Sequence, residues 1–281
     1  MYNFGLIGYP VKDSLSPFLH SSFFSSVGLV GGYNGFPVQD AMSLPVVINF
    51  LERFSFTGLN ITAPHKETVI SLAYDHSDTV KKLGAANTLH YGKDGWVAHN
   101  TDVQGFSHLL NYHNIAPSGG NVLVLGAGGS AKAVVMALSQ KNVNSITIVN
   151  RKEERAARLA DIFAETRINY STYEGLKHSD GFDIVINTLP VDWTSSIWRE
   201  RFWPQNEKML DIRTVKVVID LRCVPWETDF LSMWQGVKKY NGFCMLVEQA
   251  AASFEIWTGL RPDYSVKELI AKLYKADKAQ L

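Results

Sequence analysis

A glycine-rich turn between an apolar run and a helix-forming run carries the clearest chemical signal in the sequence. Residues 122–125 are four consecutive aliphatic residues, and they are followed by Gly126-Ala127-Gly128-Gly129-Ser130-Ala131. Continuous aliphatic runs are typical of strands buried in a parallel sheet. Glycine permits a tight turn and lets a phosphate reach the backbone N–H groups at the start of the next helix. The pattern G-x-G-G-x-A is a variant of the dinucleotide fingerprint and predicts a nucleotide site.

The end of the next apolar strand indicates which dinucleotide is bound. Residues 146–149 are followed by a neutral residue and a group of cations: Asn150, Arg151, Lys152 and, one helical turn on, Arg155. NAD-specific sheets place an acid here, whose carboxylate binds the ribose hydroxyls and repels a 2′-phosphate. Cations at this point favour NADP, because a guanidinium matches phosphate geometry. The alternative is a set of solvated charges at the start of a surface helix, with Glu153 and Glu154 as partners.

Two polar features nearer the N-terminus could serve an anionic substrate and a proton transfer. Ser16 before Pro17 is typical of a helix start, with the serine as N-cap and the proline at the first helical position. Hydroxyls at Ser14 and Ser16, beside free N–H groups, would also suit a carboxylate. Lys66 follows a predicted strand and Pro64, where the positive end of a helix disfavours an ammonium and suits it to releasing a proton.

The whole chain excludes several classes of function. Its 281 residues suit two domains, and 46% hydrophobic with 19% charged residues is an ordinary globular composition. Lys+Arg and Asp+Glu balance at 27 each, so no nucleic-acid partner is expected. No signal peptide, membrane span or metal site is predicted, and Cys223 and Cys244 are expected to be free thiols. We expect a cytoplasmic protein with a small-molecule substrate, either monomeric or homodimeric.

The predicted elements fall into two patterns. In the first part of the chain we expect strands at 3–8, 32–38 and 56–62, helices at 44–54, 67–74 and 78–83, a β-hairpin within 84–100 and a helix from about Asp102 to His113. After a linker at 116–120, strands at 122–125, 146–149, 183–188 and 217–221 alternate with helices to Lys141 and at 153–164. Two helical stretches, 245–257 and 266–274, close the chain.

This alternation predicts an α/β fold with two domains. Residues 116–242 should form a dinucleotide-binding domain with a Rossmann-type doubly wound parallel sheet. A sheet of that kind does not need two trailing helices. Residues 243–281 are therefore expected to return and complete a discontinuous α/β substrate domain begun by residues 1–115, with a cleft between the domains.

The motifs taken together resemble those of the shikimate dehydrogenase family, including its quinate/shikimate dehydrogenase members. They occur in the family's order over nearly the whole chain: S-L-S-P at 14–17, G-L-N-I-T-A-P-H-K at 58–66, G-A-A-N-T-L at 84–89, N-T-D-V-Q-G at 100–105, G-A-G-G-S-A at 126–131, N-R at 150–151 and M-L-V-E-Q-A-A-A-S-F-E-I-W-T-G at 245–259. Any one of these motifs is weak alone, but the ordered set is specific.

The resemblance implies reversible reduction of the ring ketone of 3-dehydroshikimate to shikimate with a nicotinamide cofactor, which the cations after residues 146–149 predict to be NADP. Lys66 and Asp102 would be the catalytic pair, for which a structural ion pair is the alternative. Ser14 and Ser16 would bind the substrate carboxylate. The ring would be held by further polar residues: Asn60, Thr62, Asn87 and Gln249. Thr188 and Gly242 would complete the cofactor site, with the nicotinamide close to residues 242–249.

The chain departs from the family pattern at three positions. Cys223 stands where a tyrosine commonly follows the strand before a Pro-x-x-Thr segment, and a thiol cannot reproduce the reach of a phenol. Asp13 replaces a frequent histidine, and Glu248 replaces a frequent neutral residue. These changes leave open a quinate/shikimate dehydrogenase of broader substrate and cofactor range. A non-catalytic nucleotide-binding sensor is a further alternative, which an intact Lys66 and Asp102 disfavour.

Overall fold

A computed structural model describes residues 1–176, 181–191, 193 and 214–279 of the chain. It divides into two compact units, one made of Met1–Gly105 and Leu246–Leu281 and the other of Phe106–Met245. The two boundaries fall within the helices Asp102–Tyr112 and Phe243–Thr258. No helix within the described ranges is both long and apolar enough to cross a bilayer.

The Met1–Gly105 and Leu246–Leu281 unit is built on a mixed six-stranded sheet in the order β2-β1-β3-β5-β6-β4. Its strands are β1 (Tyr2–Gly8), β2 (Gly31–Pro37), β3 (Gly58–Ile61), β4 (Asp75–His76), β5 (Thr88–Gly92) and β6 (Gly95–His99). Its helices are α1 (Ser16–Ser26), α2 (Ser43–Arg53), a 3₁₀ helix (Thr68–Leu72) and α3 (Asp78–Leu83), with α4 (Asp102–Tyr112) at the boundary. β1 pairs in parallel with β2 and β3, whereas β5 pairs antiparallel with β3 and β6.

The core of this unit explains why most of its elements were predictable. Helix α2 buries Leu44, Ile48 and Leu51, which lie on one side at helical spacing, against Ile7 and Leu59 of the sheet. The predicted helix 78–83 and the β-hairpin are confirmed. The predicted helix 67–74 is wrong, because only a 3₁₀ turn forms before the Tyr74 N–H donates to the Trp96 carbonyl and β4 pairs with β6. Pairing with the sheet overrides the local helical pattern there.

The Phe106–Met245 unit contains a parallel six-stranded sheet in the order β12-β11-β10-β7-β8-β9. Its strands are β7 (Asn121–Leu125), β8 (Ser145–Val149), β9 (Ile168–Ser171), β10 (Ile184–Asn187), β11 (Val217–Asp220) and β12 (Lys238–Asn241). Its helices include α5 (Gly129–Ser139), α6 (Glu153–Asp161) and the short α7 (Asp229–Ser232). The chain closes with α8 (Phe243–Thr258) and α9 (Val266–Ala279). The sheet extends in both directions from β7, which makes the β7/β10 neighbourhood its topological switch point.

The sequence signal for this second sheet follows from its burial. The aliphatic run of β7 is fully buried from Val122 to Leu125, and Val185 and Val218 lie beside it in one core cluster. The predicted two-domain α/β class with a Rossmann-type parallel sheet is therefore confirmed. Strands β9 and β12 were not predicted, because both are short edge strands with exposed or half-buried residues instead of an apolar run.

Candidate active site

Two serine hydroxyls lie together at the start of α1. The Ser14 hydroxyl donates to Ser16 Oγ at 3.2 Å, and Ser14 Oγ accepts the Ser16 backbone N–H at 3.2 Å. The prediction that Ser16 is the N-cap is wrong, since Leu15 is the N-cap and Ser16 is already helical. The Ser14 oxygen satisfies the Ser16 N–H, so the helix begins one residue earlier than predicted. The result is a pair of hydroxyls at the positive end of an eleven-residue helix.

Lys66 and Asp102 form a close ion pair. Lys66 Nζ lies 2.6 Å from Asp102 Oδ2, with the two side chains 15% and 5% exposed. Lys66 follows a turn in which the His65 N–H donates to the Thr62 carbonyl, directly after β3. Asp102 is the first residue of α4, and its backbone N–H donates to Asn100 Oδ1 at 3.1 Å. An acid in the first turn of a helix is favoured by the helix dipole.

Asn87 fixes the other oxygen of Asp102. Its Nδ2 donates to Asp102 Oδ1 at 2.9 Å and reaches Gln249 Oε1 at 3.1 Å and Thr101 Oγ1 at 2.9 Å. Its Oδ1 accepts the Thr101 backbone N–H at 2.8 Å. Because a backbone amide can only donate, the Asn87 oxygen must face Thr101 and the nitrogen must face the acid. Both oxygens of Asp102 are therefore occupied by donors.

Asn60 and Thr62 lie where β3 ends. The Asn60 carboxamide is buried, and its Nδ2 donates to the Asn87 carbonyl at 3.2 Å and to Ser253 Oγ at 3.0 Å. Thr62 places its methyl group against Gly8, where an added Cβ would lie 2.2 Å from Thr62 Cγ2. The structure therefore brings Lys66, Asp102, Asn60, Asn87 and Gln249 into one set of contacts within this unit.

The glycine-rich turn lies at the carboxyl end of β7, beside β10. Gly126 has a φ of +105°, and an added Cβ there would lie 2.6 Å from Thr188 Oγ1, which itself donates to the Leu125 carbonyl at 2.7 Å. Beside Gly128, which precedes α5, the described residues leave open space around an added Cβ. Ala127 is buried, and Ser130 and Ala131 lie in the first turn of α5. The turn thus opens one side of a helix N-terminus, as a phosphate requires.

The predicted 2′-phosphate residues follow β8, the strand next to β7. Asn150 Nδ2 donates to the Lys152 carbonyl at 2.8 Å, which holds this turn. Arg151, Lys152 and Arg155 are all exposed at the start of α6. Glu153 and Glu154 occupy the same first turn. The cations therefore follow one neutral residue, Asn150, at the carboxyl end of β8.

A buried acid at the carboxyl end of β11 was not predicted as a site residue. Burial raises the pKa of Asp220 to about 6, although hydrogen bonds from Thr228 Oγ1, Arg222 N and Asn187 Nδ2 favour its charged form. Burial also raises the pKa of Cys223 to about 12, so its thiol stays neutral. Gly242 cannot be replaced without movement, since an added Cβ would lie 2.0 Å from the Leu221 carbonyl oxygen.

Glu248, one of the departures from the family pattern, is fully engaged within its own unit. Its carboxylate accepts hydrogen bonds from Gln104 Nε2 at 2.7 Å, Arg261 Nη2 at 2.6 Å and the Tyr264 hydroxyl. Burial alone would raise the pKa of Glu248, but these three donors outweigh it and hold the pKa below its usual range. The extra acid is thus balanced by Arg261 and joins α8 to α4 and to the segment before α9.

A doubly wound sheet with a glycine-rich turn at its switch point, in a chain that also carries a part-buried lysine–carboxylate pair, is typical of nucleotide-dependent oxidoreductases. The comparisons with known proteins then identify which one: the chain belongs to the shikimate dehydrogenase family. Residues 6–89 match the shikimate dehydrogenase substrate binding domain, residues 112–220 match shikimate / quinate 5-dehydrogenase, and residues 242–266 match the shikimate 5′-dehydrogenase C-terminal domain.

Individual relatives agree with this assignment. The chain is 36% identical over 261 residues, 91% of each chain, to a shikimate dehydrogenase (NADP(+)) of Caldanaerobacter subterraneus subsp. tengcongensis. Its fold is similar to shikimate dehydrogenase 1 from Peptoclostridium difficile, with a TM-score of 0.81, 27% identity and 99% coverage of each chain. Shikimate 5-dehydrogenase from Thermus thermophilus, solved with NADP(H) and shikimate, has a TM-score of 0.79 and 29% identity, covering 97% of this chain and 99% of that one.

Proposed function

We propose that the chain catalyses the reversible NADP-dependent reduction of 3-dehydroshikimate to shikimate, with Lys66 and Asp102 as the proton-transfer pair. The observation that carries the proposal is their part-buried contact of 2.6 Å, in a chain whose relatives are NADP-dependent shikimate dehydrogenases. Reduction of a ring ketone requires a hydride at carbon and a proton at oxygen. When bound, NADPH supplies the hydride, so the protein must supply and direct the proton.

The Phe106–Met245 unit has the features that a phosphorylated dinucleotide needs. Gly126 turns the chain at a positive φ, and the open space at Gly128 exposes the N–H groups that begin α5. These groups would bind the pyrophosphate. Asn150 puts no negative charge at the ribose position, and Arg151 supplies a guanidinium for the 2′-phosphate, with Lys152 and Arg155 adding positive charge nearby. The unit therefore fits NADP better than NAD.

Lys66 is the proton donor in this mechanism. Its ammonium stabilises the negative charge that develops on the ketone oxygen and then transfers a proton from Nζ to that oxygen. Asp102 receives hydrogen bonds on both oxygens, from Lys66 on Oδ2 and Asn87 on Oδ1. Its part is therefore to hold and orient the ammonium. A side chain that is 15% exposed lets Lys66 recover its proton from solvent after turnover.

Substrate recognition is assigned to polar groups of the Met1–Gly105 and Leu246–Leu281 unit. The Ser14 and Ser16 hydroxyls at the start of α1 suit the carboxylate. Asn87 and Gln249 lie in contact beside Asp102 and suit the ring hydroxyls, together with Thr62 at the end of β3. The Asn60 side chain donates a hydrogen bond to the Asn87 carbonyl and so supports Asn87.

A quinate/shikimate dehydrogenase of broader range is the second candidate. It is favoured by Cys223, a neutral thiol where the family commonly has a tyrosine. The Glu248 departure does not favour it, because that carboxylate is bonded to Gln104, Arg261 and Tyr264.

Steady-state kinetics of the purified chain test the proposal. Shikimate and quinate are compared with NADP and NAD, by following the absorbance of the reduced nicotinamide. We expect the highest kcat/KM with shikimate and NADP. Comparable kcat/KM with quinate would favour the second candidate. A flat trace with all four pairs, combined with nucleotide binding in a calorimeter, would refute both and leave a nucleotide-binding sensor.

A further inference from the structure

We infer that Tyr33, which lies outside every motif discussed above, is a positioning residue for the proposed reaction: its hydroxyl holds the Asn60 carboxamide, which supports the amide contacts that hold Asp102. The inference rests on the proposed function of the Lys66–Asp102 site. It concerns a single hydroxyl group, so it can be tested by removing one oxygen atom.

The hydrogen bond of the Tyr33 hydroxyl has a defined direction. It donates to Asn60 Oδ1 at 2.8 Å. A phenol carries one proton. Because that proton is used on Asn60, the carboxamide oxygen of Asn60 is the acceptor.

The donation to Asn60 decides which way its carboxamide faces. With Oδ1 toward Tyr33, Nδ2 faces the Asn87 carbonyl, Thr88 Oγ1 and Ser253 Oγ, at 3.2, 3.3 and 3.0 Å. A flipped carboxamide would place its oxygen against the Asn87 carbonyl, where two acceptors would repel each other. Tyr33 therefore stabilises the only orientation of Asn60 that supports the Asn87 backbone.

The same contacts continue to the proposed catalytic pair. Thr88 Oγ1 donates to Asn87 Oδ1 at 3.0 Å, and Ser253 Oγ lies 2.8 Å from Thr88 Oγ1 and 3.2 Å from Thr101 Oγ1. Asn87 then donates to Asp102. Loosening Asn60 is thus expected to shift the Asn87 amide and, through it, the carboxylate that orients Lys66.

The Tyr33 ring is held independently of its hydroxyl. It is buried and stacks on the His20 imidazole, with ring centroids 4.1 Å apart and an interplanar angle of 6°. Burial lowers the pKa of His20 to about 3, so this stack carries no charge at neutral pH. Burial also raises the pKa of Tyr33 well above its usual range, which keeps the hydroxyl protonated. Tyr33→Phe should leave the ring in place and remove only the hydrogen bond to Asn60.

Binding and turnover are expected to respond differently to this change. The Tyr33 hydroxyl bonds Asn60 and is assigned no contact with the substrate. The KM for shikimate should therefore change by less than about threefold. The value of kcat should fall about tenfold, because the support of Asn87 and Asp102 is weakened.

The matched control is Tyr91→Phe, which removes a tyrosine hydroxyl bonded to Glu52 Oε1 at 2.8 Å in the same unit. Shikimate oxidation with NADP and thermal unfolding are measured for the wild type and both variants. Wild-type kcat for Tyr33→Phe, or an equal loss of kcat in Tyr91→Phe, would overturn the inference. A wild type without activity on shikimate would instead refute the proposed function.

Two further variants test whether Tyr33 acts through Asn60. In an Asn60→Ala background, Tyr33→Phe should change kcat by less than about twofold, whereas multiplicative losses would contradict the inference. If Tyr33→Phe does not fold, Ser253→Ala removes another contact of Asn60, and we expect a severalfold loss of kcat at nearly constant KM. A Ser253→Ala enzyme with wild-type kcat would then overturn the inference.

Discussion

Replacement of Lys66 by alanine tests whether the Lys66–Asp102 ion pair takes part in catalysis or only stabilises the fold. Lys66 Nζ lies 2.6 Å from Asp102 Oδ2, and neither side chain is more than 15% exposed. Removing one partner of a buried ion pair typically costs about 3–5 kcal/mol, because a buried charge is left behind. We expect the lower end of that range, since Asp102 keeps its hydrogen bond from Asn87 and its place at the start of α4. Loss of a general acid should also reduce kcat by roughly 10²–10⁴-fold.

The chain contains a matched control for this experiment. Lys216 Nζ lies 2.7 Å from Asp183 Oδ1, almost the same distance, but the lysine side chain is 76% exposed. Exposed pairs contribute about 0–1 kcal/mol. Lys216→Ala should therefore lower stability by less than about 1 kcal/mol and leave kcat unchanged.

Urea unfolding and steady-state kinetics are measured on the same preparations, with calorimetric titration of NADP to show that the nucleotide still binds. If Lys66 serves only to neutralise Asp102, Lys66→Ala will lose stability yet keep more than about a third of its kcat. That result would refute the proton-donor assignment. A large loss of kcat in Lys216→Ala would show instead that the assay reports general destabilisation.

Three further predictions address the carboxylate, the cofactor and the response to acid. Ser16→Ala should raise the KM for shikimate with little change in kcat, because the carboxylate is held alike throughout the reaction; a kcat effect at constant KM would contradict its role. The wild type should prefer NADP over NAD by at least about tenfold in kcat/KM, about 1.4 kcal/mol. Arg151→Ala should erase most of that preference. An unchanged ratio of the two kcat/KM values in this variant would refute the assignment of Arg151 to the 2′-phosphate. The lowered pKa of Glu248 contributes stability above about pH 4.5 that is lost as pH falls through the folded-state value. Glu248→Gln should therefore be less stable at pH 7 but lose less free energy of unfolding on acidification, as denaturant titrations at several pH values would measure.

Sequence patterns predicted the strands and helices whose formation depends on neighbouring residues in the chain. Residues 122–125 are an unbroken aliphatic run, and β7 is the buried strand that such a run favours. The start of α1 shows the limit of local rules, because Ser14 and Ser16 are both capable of capping and only the structure shows which oxygen takes the N–H. The predicted helix is replaced by a 3₁₀ turn at Thr68–Leu72, because the Tyr74 N–H donates to the Trp96 carbonyl of β6 and cannot continue a helix.

Sequence patterns could not predict the hydrogen bonds that hold Asn60 in place, for a different reason. Asn60 contacts Tyr33 at a separation of 27 residues and Ser253 at a separation of 193. No periodicity relates residues at such distances, and a tyrosine within a glycine-rich edge strand carries no signal of its own. Only the pairing of β1 with both β2 and β3 brings Tyr33 and Asn60 to the same place.

The orientation of one carboxamide links these observations to the proposed chemistry. The Thr101 N–H fixes Asn87 Oδ1, so Asn87 can only donate to Asp102. With hydrogen bonds on both oxygens, Asp102 is held in place to orient the Lys66 ammonium, and the proposed mechanism assigns the donated proton to Lys66. Asn87→Asp would keep the size of the side chain but place a second carboxylate 2.9 Å from the first, where repulsion favours protonation of one of them. In the proposed mechanism the main role of Asn87 is therefore the hydrogen bond that it donates to Asp102, and its contact with the substrate is secondary.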